Sequence, residues 1–368
     1  MMRFRPTWVE VDLDAVRHNV RLLRPDRAQV LAVVKADGYG HGDAPVSRAA
    51  LEAGATHIGV ALVEEGLGLR ERGIAAPILV LSEFPPGSEK EALAARLTPS
   101  VYTPDGLARV AEAAGAVGRP VGVHLKLDTG MHRVGLWPPE DAPMFARRIL
   151  GSGFALDGLW THFAASESDA EGTREQLARL LAARDALAAE GIVPSMLHAA
   201  NSGALLLHPE THLDLVRLGA AIYGIDPGEG IGPAAGIRPA LSWRSAVTMV
   251  KRLPAGERLS YDWRYTLERD ANIVTVPVGY EDGYPRALGG KANVLIGGRR
   301  HRVAGNVTMD QLLVDCGDAT VSPGDEVVLL GAQGDERVTA EELAGHLGTI
   351  AREVVTAISE RVPREYAG

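Results

Sequence analysis

The sequence predicts a (β/α)8 barrel followed by a smaller β-rich domain, and three observations carry that prediction. Short β-branched runs alternate with helical stretches, and the count of strand-helix units reaches about eight before Ile222. A glycine- and proline-rich stretch, Gly224 to Pro239, then interrupts the pattern. Beyond it the runs shorten and alternate without long helices between them. The boundaries are placed at 1–235 for the barrel and 236–368 for the β-rich domain. A doubly wound sheet is the alternative, but it needs no particular number of units, and no Gly-x-Gly-x-x-Gly turn follows the first barrel strand.

Taken in order, an amphipathic helix leads in from Val11 to about Leu23, with Leu13, Val16, Val20 and Leu23 at helical spacing. Strands are expected at Val30 to Lys35, His57 to Leu62, Pro77 to Ser82, Leu97 to Tyr102, Val121 to Leu127, Leu156 to His162, Ser195 to Ala199 and Leu213 to Leu218. Asp43 to Glu52, Pro104 to Ala114 and Thr173 to Glu190 read as helices between them. In the second half, strands are expected at Ser242 to Val250, Asn272 to Val278, Ala292 to Ile296, Gln311 to Cys316 and Glu326 to Leu330. Gly297-Gly298 is a hairpin signal, and the chain ends in a helix around Ala340 to Leu347 and a polar tail.

Composition narrows the function. A net charge of -9 argues against a nucleic-acid or membrane-surface role. No apolar run approaches spanning length, and acidic Glu10-Val11-Asp12 stands where a signal core would lie, so a cytoplasmic protein is expected. The single cysteine, Cys316, excludes an internal disulfide framework and a cysteine-rich metal site, and no metal is expected. Arginine carries nearly all the basic charge, the lysines being Lys35, Lys90, Lys126, Lys251 and Lys291. Lys35 and Lys126 end apolar strands, where an ammonium is costly unless paired or deprotonated.

Lys35 closes the run Leu31-Ala32-Val33-Val34 and precedes a glycine-rich turn. On this stretch alone two readings stay open, a lysine snorkelling to water and a lysine tuned to form a Schiff base. In a barrel, functional groups gather at the C-terminal ends of the strands. There lie Lys35 with Tyr39, Lys126 with Arg133, Thr161-His162, Asn201-Ser202-Gly203 and Arg217-Leu218-Gly219. Ser202 and Gly203 would open a helix, where free N–H groups favour a phosphate, although plain N-capping by Ser202 fits equally well. A phosphate site together with a strand-end lysine suggests pyridoxal phosphate held as a Schiff base.

The stretch Val33-Val34-Lys35-Ala36-Asp37-Gly38-Tyr39-Gly40-His41-Gly42 closely resembles the cofactor-lysine motif of bacterial alanine racemases. The likeness continues in family order through Lys126-x-Asp128-Thr129-Gly130-Met131-x-Arg133, Thr161-His162-Phe163-Ala164, His198-x-Ala200-Asn201-Ser202 and Arg217-x-Gly219. It extends to Ser260-Tyr261, Gly279-Tyr280-x-Asp282-Gly283-Tyr284 and Met309-Asp310-Gln311.

This resemblance implies a pyridoxal-phosphate enzyme that interconverts L- and D-alanine and supplies D-alanine for peptidoglycan. It implies that Lys35 carries the cofactor and is the base for the D-enantiomer, and that Tyr261 is the second base, reaching the active site of the other subunit. A homodimer with shared sites follows, with Met309 also contributed across the interface. Arg133, His162 and Arg217 complete the implied catalytic set, Arg217 donating to the pyridine nitrogen with His198 orienting it. Tyr39, Asn201, Ser202, Gly219, Ala220 and the position of Arg352 complete the cofactor contacts. Arg133 and Met309 are implied substrate contacts, and Lys126 is an implied carbamylated lysine buttressing Arg133.

Several positions depart from the family pattern. Asp37-Gly38 stands where Asn-Ala is usual, Asp262 where glycine is common, Glu167 where aspartate is frequent, and Arg352 where the family has a tyrosine at the entrance. Arg352 leaves a broader racemase, acting on serine or larger side chains, as an alternative. A same-fold decarboxylase would face the pyridine nitrogen with a carboxylate, against Arg217. A non-catalytic cofactor-binding barrel would need no second domain.

Overall fold

The computed structural model describes residues 4–118 and 120–368. These form two compact units: Ala15–Gly38 with Gly42–Arg238, and the chain up to Asp14 with Tyr39–His41 and Pro239–Gly368. The first strand of the chain, β1 (Trp8–Asp12), belongs to the second of these.

The first unit is a parallel barrel. Its strands are β2 (Gln29–Val33), β3 (His57–Val60), β4 (Ile78–Val80), β5 (Leu97–Thr98), β6 (Ser100–Val101), β7 (Gly122–Lys126), β8 (Ala155–Trp160), β9 (Met196–His198) and β10 (Leu215–Leu218). β10, β2, β3, β4 and β5 pair in parallel in that order, as do β6 to β9. The expected single strand from Leu97 to Tyr102 is broken at Pro99, which has no N–H for the ladder and whose carbonyl accepts from His124 N at 3.0 Å. Asp214 N to Leu197 O and Arg217 N to Ala200 O, both 3.0 Å, join β9 to β10 and close the ring. With β5 and β6 counted as one interrupted strand, the ring has eight members, as a (β/α)8 barrel requires. Val30, Leu31, Ala32, Ile58, Ile78, Val123, Leu125, Leu159 and Val216 are fully buried, as parallel strands covered on both faces must be.

Local signals explain the helices of this unit. Pro104–Val117 begins with Thr103 Oγ1 accepting from Gly106 N, has proline in its first turn, and stops at left-handed Gly118. Leu13–Leu23 buries Ala15, Val16, Asn19, Val20 and Leu23 on one face. Asn19 donates to Ile222 O and Arg238 O and accepts from Arg238 N, pinning this helix to the end of the barrel unit.

The second unit is built on one mixed sheet. Its strands are β11 (Leu241–Ala246), β12 (Met249–Leu253), β13 (Arg258–Leu259), β14 (Tyr265–Thr266), β15 (Ala271–Val276), β16 (Asn293–Ile296), β17 (Arg299–Val303), β18 (Leu312–Asp315), β19 (Glu326–Gln333), β20 (Glu336–Val338) and β21 (Arg364–Ala367). The sheet order is β12-β15-β18-β17-β16-β19-β11-β1-β21, with β20 on β19 and β13–β14 a separate ribbon. Three details correct the sequence reading. The leading helix starts at Leu13, because Trp8–Asp12 alternates with Val9 and Val11 buried and pairs with β11 and β21. The run from Ser242 to Val250 is two strands. The polar tail contains a helix, Ala351–Thr356, and the last strand.

Candidate active site

The C-terminal ends of the barrel strands bring one set of polar side chains together. Lys35 lies two residues beyond β2, and the backbone then enters a single left-handed turn, with Ala36 at φ 52°, ψ 54°, Asp37 at 50°, 50° and Gly38 at 60°, 45°. A non-glycine residue in this region costs about 1–2 kcal/mol, so the turn persists because its surroundings over-determine it. Ala36 N donates to Glu65 Oε1 at 2.6 Å, Gly38 N to Val34 O at 2.8 Å, and Asp43 N to Asp37 Oδ1 at 3.1 Å. Tyr223 Oη donates to Val33 O at 2.9 Å. A Cβ on Gly38, which has φ 60°, would stand 3.2 Å from the Asp43 backbone, a tight contact that glycine avoids. Together these bonds fix the direction in which the strand delivers Lys35.

Arg217 is the centre of the buried network. Its Nη2 donates to Thr161 O and Ala199 O at 2.8 Å and to His162 Nδ1 at 3.1 Å, and Nη1 donates to His198 Nδ1 at 3.2 Å. A guanidinium offers only donors, so both imidazoles must accept through Nδ1 and carry their proton on Nε2. His198 Nε2 then donates to His124 Nδ1 at 2.9 Å. Burial, followed by the Arg217 charge, holds His162 and His198 well below the ordinary histidine range, and burial drives His124 to about 3. The chain from Arg217 through His198 to His124 is therefore neutral beyond the guanidinium, with a fixed tautomer at each ring. Trp160 stacks on His198, the ring centroids 5.2 Å apart, and lies under both Lys126 and Arg217, at 4.4 and 4.8 Å.

Lys126, at the end of β7, is 4% exposed. Burial, then the charges of Arg217 and Arg133, lower its pKa to about 7, with Asp128 opposing and Lys35 adding to the fall. Lys126 thus feels Lys35, Arg133 and Arg217 together, and so does His162. Asp128 Oδ1 accepts from the amides of Gly130 and His132 at 3.0 Å and shapes the loop that carries Arg133.

At the end of β9 the structure separates two functions that the sequence left merged. Asn201, not Ser202, caps the helix Ser202–Leu207: its Oδ1 accepts from Ala204 N at 2.8 Å and from Ser166 Oγ at 2.9 Å. Ser202 Oγ instead accepts from Gly219 N and Ala221 N, at 3.1 and 3.3 Å, flanking Ala220. Two accepted bonds fill the hydroxyl's lone pairs and leave its proton to be donated to an anion.

The remaining candidates, Tyr39, Tyr261, Met309 and Arg352, belong to the second unit. There burial raises the Tyr39 pKa while the Arg352 charge lowers it, so those two groups are within electrostatic reach of each other. Tyr261 and Met309 are 70% and 51% exposed. Sequence reasoning had no role for His124 or Trp160. The available signal was alternation, since His124 shares a strand face with Lys126 two residues on.

The family model described as the alanine racemase N-terminal domain matches residues 11–227, and that of the alanine racemase C-terminal domain matches residues 240–366. An alanine racemase of Symbiobacterium thermophilum is 49% identical over 99% of this chain and 98% of its own length. One from Desulforamulus reducens is 42% identical over 99% of both. Among solved structures, the alanine racemase of Streptomyces lavendulae superimposes with a TM-score of 0.94 at 40% identity, covering 100% of this chain and 98% of that one. The Bacillus anthracis alanine racemase, solved with bound L-Ala-P, gives 0.94 at 36% identity over 100% and 96%. The chain belongs to the alanine racemase family of isomerases.

Proposed function

We propose that the protein is a cytoplasmic, pyridoxal-phosphate-dependent alanine racemase that works by two bases and supplies D-alanine for peptidoglycan. The observation that carries this reading is Arg217, a buried guanidinium at the end of β10 with Nε–H and one Nη1–H left over from the four bonds described above. Those donors suit the lone pair of an unprotonated pyridine nitrogen and disfavour its protonation, which separates a racemase from a decarboxylase using a carboxylate there. The Ser202 hydroxyl, held by Gly219 N and Ala221 N, suits a phosphate oxygen, and Lys35 suits the aldehyde. Tyr39, Asn201, Ala220 and Arg352 complete the proposed phosphate surroundings. The donor set of this chain therefore fits the cofactor.

When bound, pyridoxal phosphate withdraws electrons from the amino-acid Cα and makes its proton removable at neutral pH. The protein's own groups decide which face loses and gains that proton. Lys35 Nζ is the base on the D side. Tyr261 Oη, from a second copy of the chain in a head-to-tail homodimer, is the base on the other, since inversion needs a donor and an acceptor on opposite faces. Its 70% exposure in one copy supports that role. Arg133 and the partner copy's Met309 position would orient the substrate carboxylate. His162 and His198 hold Arg217 in place.

Lys126 supports a further step. With a pKa near 7, a large share of its amine is neutral at physiological pH and can attack carbon dioxide. The N–C bond forms, one proton leaves, and the resulting carbamate faces Arg133 as an anion in place of a competing cation. Mass spectra of crosslinked protein are expected to show the added carbon dioxide on Lys126, and a bare amine there would remove this step.

Purified protein incubated separately with L-alanine, L-serine and a basic amino acid is expected to convert alanine to an equal mixture of enantiomers. Exchange with none of the three would sink the racemase reading. Faster exchange of serine than alanine would favour the broader racemase, for which the Arg352 substitution is the specific reason.

A further inference from the structure

Tyr261 sits in the most distorted backbone of the second unit. Ser260 has φ 61° and ψ −173°, a region that side chains almost never enter, and Asp262 follows at φ 63°, ψ 4°, with Trp263 at φ 50°. Three non-glycine residues with positive φ thus surround one exposed tyrosine, and Asp262 occupies a position whose geometry favours glycine. Such strain survives only where neighbours impose it, and here Asn306 is the chief neighbour, through its side-chain amide at Tyr261 and Asp262 and its backbone carbonyl at Ser260. Asn306 Nδ2 donates to Tyr261 O at 2.8 Å and to Asp262 Oδ2 at 3.2 Å, while Asn306 O accepts from Ser260 Oγ at 2.7 Å. Asn306 therefore grips three consecutive residues from below, and it is itself 8% exposed. The residue before it, Gly305, lets the grip close: a Cβ there would stand 2.9 Å from Ser260 Cβ and 3.0 Å from Leu259 O. Arg286 and Arg264 neutralise Asp262 from the outer side, at 3.6 and 3.9 Å.

We infer that Asn306 is a positioning residue for Tyr261, its amide acting with Asp262 as a clamp that holds the phenol's backbone in one orientation. The inference rests on the reading of Tyr261 as the base that acts on L-alanine. An amide that holds both the Tyr261 carbonyl and the side chain after it fixes the Cα–Cβ direction, and a proton-transferring group misplaced by an ångström loses much of its rate. The pairing is particular to this chain's Asp262. A glycine at 262 adopts the same φ without a Cβ penalty, so the strain that Asn306 holds against would be relieved and Asn306 should matter less.

The test compares solvent-deuterium exchange at Cα from each enantiomer, in full-length holoenzyme, at initial rates. Asn306→Ala is expected to slow exchange from L-alanine about tenfold while leaving exchange from D-alanine within about twofold. Asp262→Gly added to Asn306→Ala is expected to restore the L-side rate to within about threefold of wild type. Equal slowing from both enantiomers, or none, in Asn306→Ala would overturn the clamp, as would failure of the double variant to recover. The Tyr261→Phe variant run alongside separates the two ideas. One-sided loss in Tyr261→Phe with symmetrical behaviour in Asn306→Ala rejects the clamp and leaves the base assignment standing, whereas symmetrical loss in Tyr261→Phe rejects both.

Discussion

Replacing Tyr261 by phenylalanine is expected to lower racemisation by about 10²–10⁴-fold, the span general acid–base groups usually contribute. The loss in kcat/KM must be the same in both directions, because the two enantiomers are equally stable in water and the ratio of forward to reverse efficiencies cannot change. Rates of racemisation therefore cannot say which face Tyr261 serves. Exchange of the Cα proton with deuterated solvent can. On the proposed assignment Lys35 can still remove and return a proton on its own face, so D-alanine is expected to incorporate deuterium with retention of configuration. L-alanine, whose proton faces the missing phenol, is expected to incorporate almost none. Phenylalanine keeps the ring at an already exposed position, so the fold should be unaffected. Deuterium entering both enantiomers at equally reduced rates would mean the faces are assigned wrongly.

How much of this was legible without coordinates depends on the kind of signal. The barrel was readable because parallel strands buried on both faces leave short apolar runs, continuous in Val30 to Val34 and alternating in Val121 to Leu127. The first strand was not, since Trp8-Val9-Glu10-Val11-Asp12 runs directly into a helix and its alternation is only two apolar residues deep. Its partners, β11 and β21, lie more than two hundred residues away, beyond the reach of any local pattern. Lys35 and Lys126 stood out because a cation at the end of an apolar strand is expensive. His124 did not, because a histidine in a strand is ordinary until its ring is seen 2.9 Å from His198. The cap at Ser202–Leu207 shows the limit of short-range rules: Asn201 and Ser202 are both good caps, and only the amides of Gly219 and Ala221 decide that the serine is used elsewhere. Asn306 was silent altogether, since its value depends on three backbone conformations forty-odd residues upstream.

Arg217→Glu is expected to have the second large effect, and the network around it says why. The guanidinium supplies donors to two carbonyls and two imidazoles, all buried. A carboxylate supplies none, so Thr161 O and Ala199 O lose their partner, at roughly 1–3 kcal/mol each. His162 and His198, which now accept through Nδ1, would face an anion and could be satisfied only by turning a proton toward it. Burial would still hold both rings low, but the Arg217 charge that adds to it would give way to an anion, so their pKa values should rise. An altered pH–rate profile is the expected sign of that change. With pyridoxal phosphate held as proposed, a carboxylate would favour a proton on the pyridine nitrogen where the Arg217 donors would disfavour one. Racemisation is expected to fall by about 10²–10⁴-fold, with transamination of alanine to pyruvate rising relative to each inversion. Arg217→Lys separates charge from geometry: it keeps the cation but loses the planar fork, so it should slow racemisation without raising transamination. An Arg217→Glu enzyme that racemises alanine at close to the wild-type rate, with no added pyruvate and an unchanged pH profile, would mean that Arg217 holds the barrel end together and has no part in choosing the reaction.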